Sequence, residues 1–159
     1  GDVGEWVQAV YPTPAYIDTL ATSTPIAEHV PVDFELRGCP ISAKQLVMVI
    51  TALAEGRRPK LPSHSVCLDC KRRGTVCVVV AQGTACLGPV TRAGCGALCP
   101  GLGRDCYGCY GPTATASSDA LAAQFARLGL DAAAIARRFA FINSQAPVFL
   151  AAARKAETK

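Results

Sequence analysis

The sequence predicts an α+β chain in three parts: a fragment of an α/β unit over residues 1–60, an irregular cysteine-rich segment over 61–112, and a helical segment over 113–159. Three observations carry that expectation. An alternating run from Val30 to Leu36 is followed at once by a helical apolar pattern. Eight of the nine cysteines crowd between residues 67 and 109, amid glycines and few large apolar side chains. From Ser117 onward, apolar residues recur at helical spacing.

Taken in order, YPTPAYIDTLATSTP at 11–25 reads as a loop with one short helix. Val30 to Leu36 is expected to form a strand ending at Gly38-Cys39-Pro40. A helix should follow, with Ser42 and Gln45 as its capping box, Leu46, Ile50 and Leu53 on one face, and Gly56 closing it. Strand, tight turn and helix place Cys39 at the carboxyl end of a strand, the edge at which ligands gather in α/β folds. RRPKLPSHS at 57–65 is a linker by its proline, serine and charge content. Nine glycines lie between Gly74 and Gly111, and only CVVVA at 77–81 looks like a strand. A segment so poor in core formers needs an external staple. Beyond it, Leu121, Phe125 and Leu128 mark one helix ended by Gly129, Asp131 caps a second with Ile135, Phe139 and Ile142 on one face, and Pro147 opens a third.

The 159 residues suit one domain, or one and a half small ones, and half of them are hydrophobic, which excludes disorder by composition. A net charge of +4 makes no case for nucleic-acid binding. No apolar run approaches the roughly 18–20 residues that span a bilayer, and no signal-peptide pattern is visible. The first residue is Gly1, so the start reads as processed or truncated. Neither a Ser–His–Asp set, a phosphate loop nor a dinucleotide fingerprint is present. Asp33 and Glu35 alternate on the expected strand and read as solvent-facing. His29 belongs to no catalytic constellation, and His64, three residues before Cys67, reads as a surface loop residue.

The chemistry therefore rests on thiols. Disulfides would need an oxidising compartment, of which the sequence gives no sign. Zinc is a serious alternative, because the C-x2-C pairs Cys67/Cys70 and Cys106/Cys109 are legitimate knuckles and eight cysteines could close two four-thiolate sites. Iron–sulfur clusters are the third reading. Eight thiolates divide into two sets of four, the count that two 4Fe–4S clusters need. The glycines let backbone N–H groups approach sulfur, and Cys99-Pro100 is ferredoxin-like although the full ferredoxin spacing is not reproduced. Lys71, Arg72, Arg73, Arg92 and Arg104 outnumber Asp69 and Asp105 and would offset cluster charge, while KRR reads equally well as a solvated basic patch. Spacing leaves the division into quartets open, with Cys86 or Cys109 able to cross over.

The order VDFELRGCPI (32–41), SVCLDCKRRGTVC (65–77) and TACLGPVTRAGCGALCPGLGRDCYGCYGP (84–112) resembles the small, electron-transferring subunit of NiFe hydrogenases. It is nearest to the delta subunit of cytosolic NAD(P)-linked sulfhydrogenases and more distantly similar to the small cluster-bearing subunit of respiratory complex I. The resemblance covers nearly the whole chain, and GPVTRAGCGALCP is its specific part. It implies a C-terminal remnant of a flavodoxin-like domain, then an irregular iron–sulfur domain, then C-terminal helices. Carried over by residue, Cys39 matches the last ligand of a proximal cluster. Cys67, Cys70, Cys77 and Cys86 match a distal-type 4Fe–4S set, and Cys95, Cys99, Cys106 and Cys109 a medial-type 4Fe–4S set. Cys67 stands where many relatives have histidine, and Cys99 where some have proline, so all-cysteine sets are implied.

The family's other three proximal ligands lie upstream of the GCP motif, yet no cysteine precedes Cys39. The chain is thus expected to be the C-terminal part of a longer subunit, with two clusters of its own and a third completed only by upstream ligands. The resemblance further implies a cytoplasmic complex with a NiFe large subunit, which splits hydrogen, and with iron–sulfur and flavin subunits that reduce NAD(P) or polysulfide. This chain itself would relay electrons, with no catalytic residue, no nucleic acid and no membrane span. Large apolar partner contacts are expected, because half an α/β domain cannot bury both faces of its strand. The alternatives are a cluster subunit of another oxidoreductase and a two-zinc structural module. The C-terminal helices would either cover the cluster domain or dock another subunit.

Overall fold

Residues 2–19 and 23–158 are described by a computed structural model. Two units are distinguished, one ending at Asp33 and one beginning at Phe34. The first contains helix α1 (Val3–Val10), capped by Asp2, whose Oδ1 accepts the Gly4 N–H at 3.1 Å. No helix was expected here, although Val3, Trp6, Val7 and Val10 recur at helical spacing; of these only Val7 is buried. Single 3₁₀ turns follow at Pro14–Tyr16 and Ile26–Glu28. Residues 20–22 of the loop expected over 11–25 lie outside the described residues.

The strand expected from Val30 to Leu36 does not form. Among the described residues, β pairing is confined to two isolated antiparallel bridges, Ser65 with Arg92 and Thr91 with Pro112. A strand needs a neighbour for its N–H and C=O groups, and Val30 to Leu36 has none in either bridge. The helix after it is present as α2 (Ala43–Ala54), with Ser42 accepting the Gln45 N–H at 3.4 Å and Gly56 left-handed at φ +67°. Leu46, Ile50 and Leu53 lie on one face as expected, but that face is not the buried one. Gln45, Val49 and Ala52 point inward, while Leu46, Ile50 and Leu53 are exposed. The helix meets the cysteine segment through Gln45, whose amide nitrogen occupies space beside Gly94 that a Cβ there would need.

CVVVA is helical rather than extended. Helix α3 (Val66–Arg72) is followed by α4 (Val78–Gln82), for which Cys77 is the N-cap and left-handed Gly83 the C-cap. The Gly83 and Thr84 N–H groups bond back to Val79 and Val78 carbonyls and satisfy the helix end locally. A short apolar run has no decisive period of its own, so this closure decides its form.

The two bridges build a short spine. Val66 N–H donates to Thr91 O and Ala93 N–H to His64 O, both at 2.9 Å, on one side of residues 90–93. On the other side, Arg92 N–H donates to Gly111 O and Thr113 N–H to Val90 O, also at 2.9 Å. The loops bearing the cysteines hang from this spine and from the single turn α5 (Leu98–Gly101).

Helices α6 (Ser118–Arg127), α7 (Ala132–Ala140) and α8 (Pro147–Glu157) follow the expected caps at Asp131, Gly129 and Pro147. The second helix ends before Ile142, which is partly exposed. Phe125, Phe139 and Phe149 are fully buried with successive ring centroids 6.0 Å apart. Ala85, Leu87 and Val90 of the cysteine segment belong to the same core. The C-terminal helices therefore cover that segment.

Candidate metal centres

All nine cysteines are free thiols. In α3, Cys67 and Cys70 stand three residues apart and so share a helix face. Cys77 caps α4 and is exposed, whereas Cys86 is buried in the loop beyond it. The Cys67 thiol is pushed up to about 11, first by burial and then by the neighbouring Cys86, Cys70 and Cys77. Burial also raises Cys70, followed by Cys86 and Cys77. These four thiols are thus mutual neighbours.

Cys86 is the best supported of them. Its Sγ accepts the N–H of Gly88 at 3.4 Å and of Cys106 at 3.2 Å. A Cβ at residue 88 would lie 3.3 Å from Cys86 Sγ and 3.6 Å from Cys67 Sγ, so glycine there lets the backbone come close to both sulfurs.

The second neighbourhood contains Cys95, Cys99, Cys106 and Cys109. Burial pushes the Cys106 thiol up to about 12, with lesser upward contributions from Cys86 and Cys109. Cys99 is raised by burial and then by Cys95. Cys109 is raised by burial, and Cys99, Cys39 and Cys95 add to it. Cys106 therefore stands between the two sets, and Cys39 approaches the second. Ala97, fully buried at φ +56°, turns the chain between Cys95 and Cys99.

Among the described residues, no group of three or more His, Cys, Asp or Glu side chains is arranged to hold a metal ion as it stands. One zinc ion would draw four sulfurs to about 2.3 Å from a single point. A 4Fe–4S cluster binds each thiolate to a different iron and so spaces them more widely. The donor set, neighbouring thiols with amide N–H groups on sulfur and a glycine cradle beside two of them, fits an iron–sulfur group.

Other sequence candidates fall elsewhere. His64 Nε2 lies 3.1 Å from Asp69 Oδ1, and His29 Nε2 lies 2.7 Å from Thr24 Oγ1. Glu35 pairs with Arg37 at 2.8 Å. Of the KRR run, Arg73 donates to the carbonyls of Gly96 and Ala97 at 3.0 and 3.2 Å, while Lys71 and Arg72 are exposed. Three contributors were not read from the sequence. Tyr110, buried, donates from Oη to Pro40 O at 2.9 Å and ties the Cys39 turn to the Cys109 loop. Asn143 donates to Gly108 O at 2.7 Å. Arg138 of α7 contacts both Asp105 and the Ala85 carbonyl. None carries a spacing signal, since each acts across more than 30 residues of chain.

No family model matches the chain. It is similar to the delta subunit of sulfhydrogenase 2 from Pyrococcus furiosus, with 40% identity over 94 residues, 59% of this chain and 40% of the relative. It is 34% identical over 152 residues to the vhu G polypeptide of the F420-non-reducing hydrogenase of Methanococcus voltae, covering 83% of this chain and 53% of the relative. The iron-sulfur G polypeptide of an F420-non-reducing hydrogenase from Archaeoglobus profundus is 32% identical over 127 residues, 62% of this chain and 38% of the relative. The chain thus spans about half, or somewhat less, of the length of these relatives. Its two neighbourhoods of thiols lie in a sequence homologous to the delta and G subunits of hydrogenases.

Proposed function

We propose that this chain is part of the electron-transfer subunit of a NiFe hydrogenase and that its eight clustered cysteines hold two 4Fe–4S clusters. The observation that carries this reading is Cys86, buried beside Cys67, Cys70 and Cys77 with two amide N–H groups on its sulfur. Such donation favours the ionised thiolate that an iron ligand must be, and it is one of the levers on cluster potential. Cys67, Cys70, Cys77 and Cys86 would form the distal-type set, and Cys95, Cys99, Cys106 and Cys109 the medial-type set. Cys39 would give one ligand to a proximal cluster whose other ligands come from outside this chain.

When bound, the clusters supply one-electron transfer at potentials that the protein sets. The chain's own residues bind through thiolate, keep water from Cys86 and Cys106 by burial, and leave Cys77 at the surface beside exposed Val76 and Val80. No proton chemistry is assigned to it. In this reading a NiFe large subunit splits hydrogen, and electrons leave towards iron–sulfur and flavin subunits that reduce NAD(P), in the cytoplasm. The segment with Cys39 and α2 would be the C-terminal remnant of a flavodoxin-like domain, and its exposed Leu46, Ile50 and Leu53 would face other protein in the complex.

Anaerobic purification of the native complex tests the reading. About eight iron and eight sulfide per copy of this chain, beyond those of the partners, are expected, with nickel copurifying. A colourless chain with about two zinc ions would overturn the cluster assignment. Copurification with molybdenum in place of nickel would overturn the hydrogenase assignment.

A further inference from the structure

Asp105 is an anomaly in a segment built to hold anionic thiolates. It immediately precedes Cys106, its side chain is only 13% exposed, and its charge is felt at both Cys86 and Cys99. An unpaired carboxylate there would be strongly disfavoured. Arg104, next to it, is exposed and directs its guanidinium to Tyr107 Oη at 3.1 Å. The compensating charge comes instead from α7. Arg138 pairs with Asp105 and donates to the carbonyl of Ala85, the residue before Cys86. Its guanidinium also lies 5.6 Å from the Tyr107 ring centroid, and its Nε is buried without an acceptor among the described residues. One cation thus reaches the residue preceding a ligand in each of the two cysteine sets.

We propose that Arg138 is a positioning and charge-compensating residue that, together with Asp105, sets the reduction potentials of the clusters held by the two cysteine sets. The proposal rests on the cluster-binding reading above. Reduction adds negative charge to a cluster, so an uncompensated Asp105 opposes it and an uncompensated Arg138 favours it. Removing the cation therefore makes the potentials more negative, removing the anion makes them less negative, and removing both returns them close to wild type.

The test uses the native complex carrying Arg138→Met, Asp105→Asn or both, with redox titrations followed by electron paramagnetic resonance. Iron content and cluster signals are measured first. Their absence from the wild type defeats the cluster reading itself and is distinct from failure of this inference. With clusters present, each single variant should change the reduced-to-oxidised ratio at fixed potential by roughly tenfold, about 59 mV, in opposite directions. The double variant should cancel most of that change. Unmoved potentials, single-variant shifts of the same sign, or a double variant displaced like Arg138→Met would each overturn the proposal. Should Arg138→Met fail to fold, Asp105→Asn alone still decides, since it must make the potentials less negative.

Discussion

Replacing Gly94 by alanine tests how the Cys39 turn is fastened to the cysteine segment. Gly94 precedes Cys95, and a Cβ built there falls on the ring of Tyr110 and 2.9 Å from Gln45 Nε2. Neither neighbour has free space, since Tyr110 and Gln45 are each 6% exposed. Forcing a methyl group into a filled interior costs about 1–3 kcal/mol. Displacing the ring also breaks the 2.9 Å bond from Tyr110 Oη to Pro40 O, which adds about 1 kcal/mol. The sum, about 2–4 kcal/mol, corresponds to a Tm lowered by roughly 4–16 °C at this chain length. Thermal unfolding by circular dichroism, on anaerobic preparations matched for iron content, measures it. Tyr110→Phe supplies the scale, because it removes only the hydroxyl and should lower stability by about 1 kcal/mol. A Gly94→Ala protein melting within about 2 °C of wild type would refute the packing argument. So would a Tyr110→Phe protein as unstable as Gly94→Ala.

The cysteines give two further tests. Cys86→Ser should lower the iron bound by this chain by about half, whereas Cys39→Ser should leave that iron unchanged; equal losses from both would contradict the division of ligands. Burial holds the Cys67 and Cys106 thiols protonated up to about 11 and about 12, and ligand thiols must lose their protons on binding. Iron uptake during anaerobic reconstitution should therefore release protons and increase from pH 7 to pH 9, and uptake independent of pH across that window would count against it.

The thiol neighbourhoods of the candidate site were legible because thiol clustering is a local signal. Cys67 and Cys70 share a helix turn, and the spacing of Cys95 and Cys99 needs only one tight turn at Ala97. Helix caps were legible for the same reason, since Ser42 and Asp131 act on groups three residues away. What failed was chiefly what distant partners set, with the locally closed helix at VVVA the exception. Val30 to Leu36 alternates as a strand does but has no strand beside it, and VVVA closes into a helix because Gly83 can take a left-handed turn. Which face of α2 is buried was not legible, because hydrophobicity favours Leu46, Ile50 and Leu53, while a polar Gln45 is the residue that fits against Gly94. Arg138 was invisible for a related reason: its role depends on Asp105, 33 residues away, and on α7 packing over the cysteine loops.

The need for a staple also has a more exact form. The cysteine segment draws on two cores of different kinds. Ala85, Leu87 and Val90 join Phe125, Phe139 and Phe149, so one edge of the segment is held by the C-terminal helices without any metal. The buried members of the other core, among the described residues, are Val66, Val78, Cys86, Ala97 and Cys106, with partly buried Cys70 and Val79 packed against them, so cysteines make up much of it. Removing ligated metal from that second group takes away bonds for which no apolar contact substitutes. The two regions should therefore separate in stability. On anaerobic iron removal, hydrogen exchange should accelerate at the amides of α3, α4 and α5 and at the Cys106 N–H that donates to Cys86 Sγ. Amides of α6, α7 and α8 should keep most of their protection. Uniform loss across both regions would show that the helical core depends on the clusters as well, and unchanged exchange at α3 to α5 would show that the thiols need no metal to hold their fold.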